Sequence, residues 1–165
     1  MRISHCGIGA LHSCKPTTLA PMHFDTRSLN TSSVYKLLTG IVVPRPIAWV
    51  LSRNESGLLN LAPFSFFNCV GTDPALVILS VGNHPDRPKD TAKNIECHGS
   101  FVVNMVDEAH SQAMSDSATD FPESISEVSE LQLETVPSAL IDVPRLARVP
   151  AAWECKLKSV QWIGN

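Results

Sequence analysis

The sequence predicts a mainly β domain with helices at its periphery. Three observations carry that reading. Residues 44–68, PRPIAWVLSRNESGLLNLAPFSFFN, read as strand, turn and strand. Two further apolar runs of strand length follow at Ala75–Val81 and Phe101–Val106, and Trp153–Ile163 begins with the alternation of a half-exposed strand. Helical spacing is confined to short stretches near 32–38, 90–98 and 108–117.

Residues 1–21 are unlike the rest and read as a disordered leader before a domain at 22–165, with Met22 as the start the fold needs. His and Cys interrupt any apolar core that a secretory signal would require. His5, Cys6, His12 and Cys14 match no standard zinc spacing, so no metal site is expected. Ser32 or Ser33 caps a short helix through Leu38 that Gly40 ends, with Val34, Leu37 and Leu38 inward.

Ile47–Leu51 is apolar almost throughout, as a strand covered on both faces would be. Asn54-Glu55-Ser56-Gly57 is turn chemistry, because Asn tolerates a left-handed backbone and Gly adopts one freely. The following strand, Leu58–Asn68, mixes Asn60, Ala62, Pro63 and Ser65 with Leu61, Phe64, Phe66 and Phe67. A purely structural strand would favour β-branched residues. This one is suited to meeting something flat with polar edges, and Pro63 marks an edge strand or a bulge because proline cannot donate to a ladder. At least one of Phe64, Phe66 and Phe67 is expected to serve the core alone.

Asp73-Pro74 marks a turn, Ala75–Val81 a buried strand ended by Gly82, and residues 83–88 an exposed loop. Asp90 or Thr91 caps a helix through about His98, closed by Gly99. Phe101–Val106 is a strand and Glu108–Ser117 a helix. Ala118–Val136 is acidic and weakly patterned, with one helical turn near Glu127–Leu131, and Pro137–Pro150 is proline-punctuated extended chain. In the last strand Trp153, Cys155 and Leu157 alternate with Glu154, Lys156 and Lys158. There are no internal repeats and no linker that would split the chain.

The 165 residues suffice for one domain with a real core, and 44% hydrophobic with 18% charged residues is the balance of a globular protein. A net charge of −3 without a basic run gives nucleic-acid binding no electrostatic support. No apolar run is long enough to span a bilayer. The 5 cysteines lack C-x-x-C spacing and read as reduced, mostly buried thiols of a cytoplasmic protein.

Phosphate-loop and dinucleotide glycine motifs are absent, since Gly7-Ile8-Gly9 has no strand before it and no third glycine. A helix start can still hold an anion, and Lys89-Asp90-Thr91 sits at one, offering a charge, a hydroxyl and free amides. Asp90 is expected only to cap the helix. Lys89, taken alone, is a solvated surface lysine. Arg45, Ser52 and Arg53 flank the first strand. Each arginine is either a phosphate ligand, for which its planar fork is suited, or a strand-end charge facing water. His84 and His98 are candidate donors but are expected to be exposed. No nucleophile–base arrangement stands out, and no catalytic residue is assigned.

Taken together, these pieces resemble the flavin reductase-like family. The resemblance rests on Val43-Pro44-Arg45-Pro46-Ile47-Ala48-Trp49-Val50, on Gly57 and on Asn60-Leu61-Ala62-Pro63-Phe64-Ser65-Phe66-Phe67-Asn68. It continues through Asp73-Pro74, Lys89-Asp90-Thr91, Asn94-Ile95, Phe101-Val102-Val103-Asn104, Pro137-Ser138 and Glu154-Cys155. It implies an FMN-binding split β-barrel in which Asn60, Ala62, Pro63, Phe64 and Ser65 line the flavin. Lys89 and Thr91 would lie at its phosphate, while Asn68 either reaches the flavin or caps its strand. Where the family often has Ser-Thr-Arg, this chain has Leu51-Ser52-Arg53 and so lacks one possible phosphate donor.

The implied reaction is hydride transfer from NADH or NADPH to FMN, chemistry that the cofactor carries and that needs no protein nucleophile. The reduced flavin would pass to a partner monooxygenase or another acceptor. The alternatives are a non-enzymatic, flavoredoxin-like electron carrier and a catalytically dead structural remnant. The family's flavin lies at a homodimer interface, so a homodimer is implied. Relatives usually continue for several strands after the segment matching Trp153–Trp162. The resemblance therefore implies a barrel incomplete at the C-terminus, with open strand edges, reduced stability and weak FMN occupancy.

Overall fold

Alternation along one antiparallel sheet divides the buried side chains between two apolar layers. The computed structural model describes residues 22–84 and 86–163. The expected leader, with its His and Cys residues, lies outside them. The chain divides at Val43/Pro44 into two units. In the first, α1 (Thr31–Ile41) is capped by Asn30, whose Oδ1 accepts from the Ser33 N–H at 2.9 Å. Neither Ser32 nor Ser33 is the cap, because Asn30 is as good an acceptor and comes first. The helix runs through Gly40, and none of Val34, Leu37 and Leu38 is buried.

The second unit contains strands β1 (Ala48–Arg53), β2 (Leu59–Phe64), β3 (Phe67–Thr72), β4 (Ala75–Leu79), β5 (Ser100–Met105), β6 (Thr135–Val136), β7 (Arg145–Leu146) and β8 (Ala152–Lys156). Its helices are α2 (Asp90–His98), α3 (Ser111–Asp116) and α4 (Glu127–Glu130). The central sheet has the order β2-β1-β5-β8, while β3–β4 and β6–β7 form separate two-stranded ribbons. The expected mainly β class with peripheral helices is what the chain adopts.

In the β1–β2 hairpin Ala48 faces Phe64, Val50 faces Ala62 and Ser52 faces Asn60. These residues share one face. Their layer holds Ala48, Val50, Phe64, Phe67, Phe101 and Val103, and α2 adds Ile95. The opposite face carries Trp49, Leu51, Leu61 and Val102 against Val128, Val143 and Leu146. Three buried polar bonds brace this second layer. The Trp49 indole N–H donates to Ser117 Oγ at 2.8 Å. Asn104 donates to the Trp49 carbonyl at 3.1 Å and accepts from the Leu146 N–H at 3.0 Å, joining β5 to β1 and β7.

Pro63 is on an edge strand, as expected. The Leu61 N–H points away from β1, since it donates to a side chain on α4. Pro63, two residues on, therefore lacks its N–H at a position where β1 would not have used it.

The expected single strand Leu58–Asn68 is two strands, broken at Ser65-Phe66. Phe64 and Phe67 are both 7% exposed in the same layer. At a spacing of three they would fall on opposite faces of one continuous strand, and the break lets both turn inward. Phe66 is left largely exposed. The Asp73-Pro74 turn is present and its peptide is cis.

Other expectations are corrected. Residues 108–117 form a 3-10 turn at Glu108–His110, with the Asp107 carboxylate accepting from the His110 N–H, followed by α3. The last strand ends at Lys156, and Trp162 and Ile163 beyond it are exposed. Cys69 and Cys97 are exposed rather than buried. Cys155 is half-buried, and burial pushes its thiol up to about 11. Among the described residues no helix is long and apolar enough to cross a membrane.

Candidate functional site

The start of α2 differs from that of an ordinary helix. Lys89 occupies the N-cap position, and no side chain caps it. Neither Asp90 nor Thr91 is the cap. Asp90 lies in the first turn, where its charge suits the helix dipole, and it pairs with Arg87 at 2.9 Å. The leading amides of α2 thus receive no acceptor from a capping side chain. At the other end Gly99, with φ of 67°, supplies the left-handed turn that closes the helix.

Two side-chain bonds lock α2 onto the hairpin. Asn60 Nδ2 donates to Thr91 Oγ1 at 3.0 Å, and Asn94 Nδ2 donates to Ser52 Oγ at 3.2 Å. Ser52 and Asn60 are register partners, and Thr91 and Asn94 are three apart on one helical face, so the two bonds lie side by side. Ile95 anchors the same face in the apolar layer. The Lys89 ammonium is held 5.8 Å from the centroid of the Phe64 ring. Beyond Phe64, Arg45 Nε donates to Ser65 Oγ at 3.2 Å.

The structure thus groups Lys89, Thr91, Asn60, Ala62 and Phe64 at the helix start, with Ser52 behind them through Asn94 and with Arg45 and Ser65 just past the end of β2. It does not bring the other three candidates there. Arg53 and Pro63 alternate with Ser52 and with Ala62 and Phe64, which puts them on the opposite face. Arg53 approaches Asp142 at 3.8 Å, and Pro63 pairs with Trp49. Asn68 lies in β3, exposed, with its Oδ1 accepting from the Cys69 N–H at 2.8 Å. It neither caps a strand end nor joins the cluster. His84 and His98 are half-buried rather than exposed. His84 sits 3.8 Å from Asp120.

Thr91 is 2% exposed. Its oxygen accepts from Asn60, and among the described residues its hydroxyl hydrogen has no acceptor. A hydroxyl donates as well as accepts, so Thr91 keeps one donor for a ligand. An ammonium, uncapped amides and one hydroxyl put donors beside the apolar Ala62 and Phe64, with the Asn60 carbonyl oxygen as an acceptor. This set fits a flat ring that carries a phosphate.

Sequence reasoning missed Asn94 and Glu127. Asn94 was legible as a polar residue at the inward phase set by Thr91 and Ile95. Glu127, the first residue of α4, falls in a stretch with no pattern to single it out. It is 7% exposed, and its Oε2 accepts from the Leu61 N–H at 2.9 Å. Burial, with Asp90 as a lesser like charge, raises its pKa, which the bond from Leu61 opposes. Glu127 lines a narrow cleft with Asn54, Asn60, Asp90, Asn94 and Phe121.

The model of the family described as "Flavin reductase like domain" matches residues 40–165. The chain belongs to the flavin reductase-like family. Solved relatives agree with that placement. The flavin reductase-like chain is 45% identical to 2-nitrobenzoate 2-nitroreductase NbaA of Pseudomonas fluorescens, with a TM-score of 0.76 over 84% of this chain and 66% of that one. It is 34% identical to nitrilotriacetate monooxygenase component B of Bacillus cereus, with a TM-score of 0.87 over 90% and 73%. A protein of Deinococcus radiodurans is 46% identical over 148 residues, 87% of this chain and 65% of that protein. The chain thus spans about two thirds of the length of these relatives. The split-barrel fold is shared with a protein of Shewanella frigidimarina, which has a TM-score of 0.75 over 87% of this chain and 72% of that one.

Proposed function

We propose that the protein is an NAD(P)H-dependent flavin reductase that holds FMN with its phosphate at the start of α2. The carrying observation is the uncapped helix start, where Lys89 lies over the Phe64 ring and Thr91 is bonded to Asn60. Lys89 and the free amides neutralise and orient the phosphate, acting with the positive end of the helix dipole. Ala62 and Phe64 offer the ring an apolar wall, and Asn60 is held by Thr91 so that its carbonyl oxygen stays available as an acceptor. Ser65, bonded to Arg45, lies at the far end of that wall. The flavin, when bound, supplies the acceptor for the hydride, and the protein orients it and excludes water. The functional unit is proposed to be a homodimer that hands electrons to a partner monooxygenase or to a small acceptor.

The test is the absorbance of the purified protein in the flavin region, combined with NADH and NADPH oxidation with and without added FMN. Turnover of added FMN supports the reductase. Retention of FMN with poor NAD(P)H oxidation indicates an electron carrier. Absence of any flavin binding overturns the reading. The 45% identity to a nitroreductase supports a second possibility at the same site, reduction of a nitroaromatic acid on bound flavin. It is checked by adding 2-nitrobenzoate as acceptor in place of free FMN.

A further inference from the structure

Glu127 has no place in the reading above, and its surroundings are unusual for a carboxylate. It is 7% exposed, it has no cationic partner among the described residues, and the charged group acting on it is Asp90, of the same sign. Buried carboxylates are ordinarily paired with a cation. This one instead accepts from backbone groups, the Leu61 N–H on Oε2 and its own N–H. Leu61 lies between Asn60 and Ala62 on the free edge of β2. The main-chain groups of Asn60 and Ala62 point toward β1 and are held by the ladder, whereas those of Leu61 point outward. Pro63, the next outward position, has no N–H to hold. Glu127 is therefore the clamp on the open side of the strand at the residue between Asn60 and Ala62.

We propose that Glu127 is a positioning residue for the flavin site, its carboxylate fixing the free edge of β2 so that Asn60 and Ala62 keep their places opposite the start of α2. Asn60 is then held from two sides, through its side chain by Thr91 and through the adjoining peptide by α4. The proposal rests on the flavin reading of the site. It requires the accepted hydrogen bond rather than the charge, so a glutamine, which offers a carbonyl oxygen at the same reach, should serve in its place.

The experiment compares wild type, Glu127→Met and Glu127→Gln in the full chain. FMN affinity is measured by fluorescence quenching, the ring environment by visible circular dichroism, and the Leu61 amide by hydrogen exchange. Expected for E127M are about a tenfold loss of FMN affinity, the scale of one lost hydrogen bond, an altered visible dichroism of the flavin that remains bound, and faster exchange at Leu61. E127Q should restore all three. FMN affinity and dichroism unchanged in E127M would overturn the proposal, as would E127Q binding no better than E127M. If E127M does not fold, E127Q decides: wild-type dichroism with a protected Leu61 amide supports the clamp, and an unprotected amide overturns it. Failure of wild type to bind any flavin is a different result, and it overturns the functional reading itself.

Discussion

Lys89 stands where helices usually place Ser, Thr, Asp or Asn, and it leaves the first turn of α2 without a side-chain acceptor. Lys89→Ala should therefore weaken FMN binding by about ten- to a hundredfold, the range of one charge-assisted hydrogen bond. The melting temperature should barely move, because no cap is lost. A fluorescence titration beside a thermal melt checks both. Glu127 gives a pH-dependent expectation. Its folded pKa is raised above the ordinary 4.5, so the fold favours the protonated form. The stability this brings is present below 4.5 and is lost as pH rises through the folded pKa. Glu127→Gln, which never ionises, should melt above wild type at neutral pH. The two curves should meet in acid, and melts across the pH range test this. Asn60, Lys89 and Thr91 were legible because a helix start and a polar strand position can be read from local pattern. Arg53 and Pro63 lie on the other face of their strands, which register decides and local pattern does not show. Glu127 left no local trace, since its partner, Leu61, is 66 residues away.

At the scale of elements, α2 is held to the hairpin by two polar bonds and one apolar anchor. Asn94→Ala would leave the fully buried Ser52 hydroxyl without its donor. The expected loss of stability is about 1–3 kcal/mol, the penalty of an unsatisfied buried group, measured by urea denaturation. Lys89→Ser gives the opposite trade. A serine at the N-cap should add about 0.5–2 kcal/mol while removing the cation, so the helix gains and the ligand loses. A variant that bound FMN as well as wild type would show that the uncapped turn is not where the phosphate sits. The strand-and-helix outline was legible because Gly57, Gly99 and Asp73-Pro74 punctuate the chain. The division at Ser65-Phe66 was not, because it answers a demand of the core, that Phe64 and Phe67 share one layer.

For the molecule as a whole, the β3–β4 ribbon presents Val70 and Ile78 at 60% and 53% exposure. A two-stranded ribbon is marginal alone, and an apolar outer face invites a covering surface. With a second copy of the chain as the cover, wild type should elute as a dimer in size-exclusion chromatography. Val70→Lys should shift it toward monomer. The three tryptophans also differ in setting, with Trp49 sealed beneath its bond to Ser117, Trp153 half-buried and Trp162 largely exposed. Trp49 should therefore emit at short wavelength and resist acrylamide, while Trp162 should be quenched readily. Tryptophan emission overlaps flavin absorption, so loading the site should dim the short-wavelength component by energy transfer. The sheet that frames the candidate site thus contains an optical reporter of its occupancy, readable without any label.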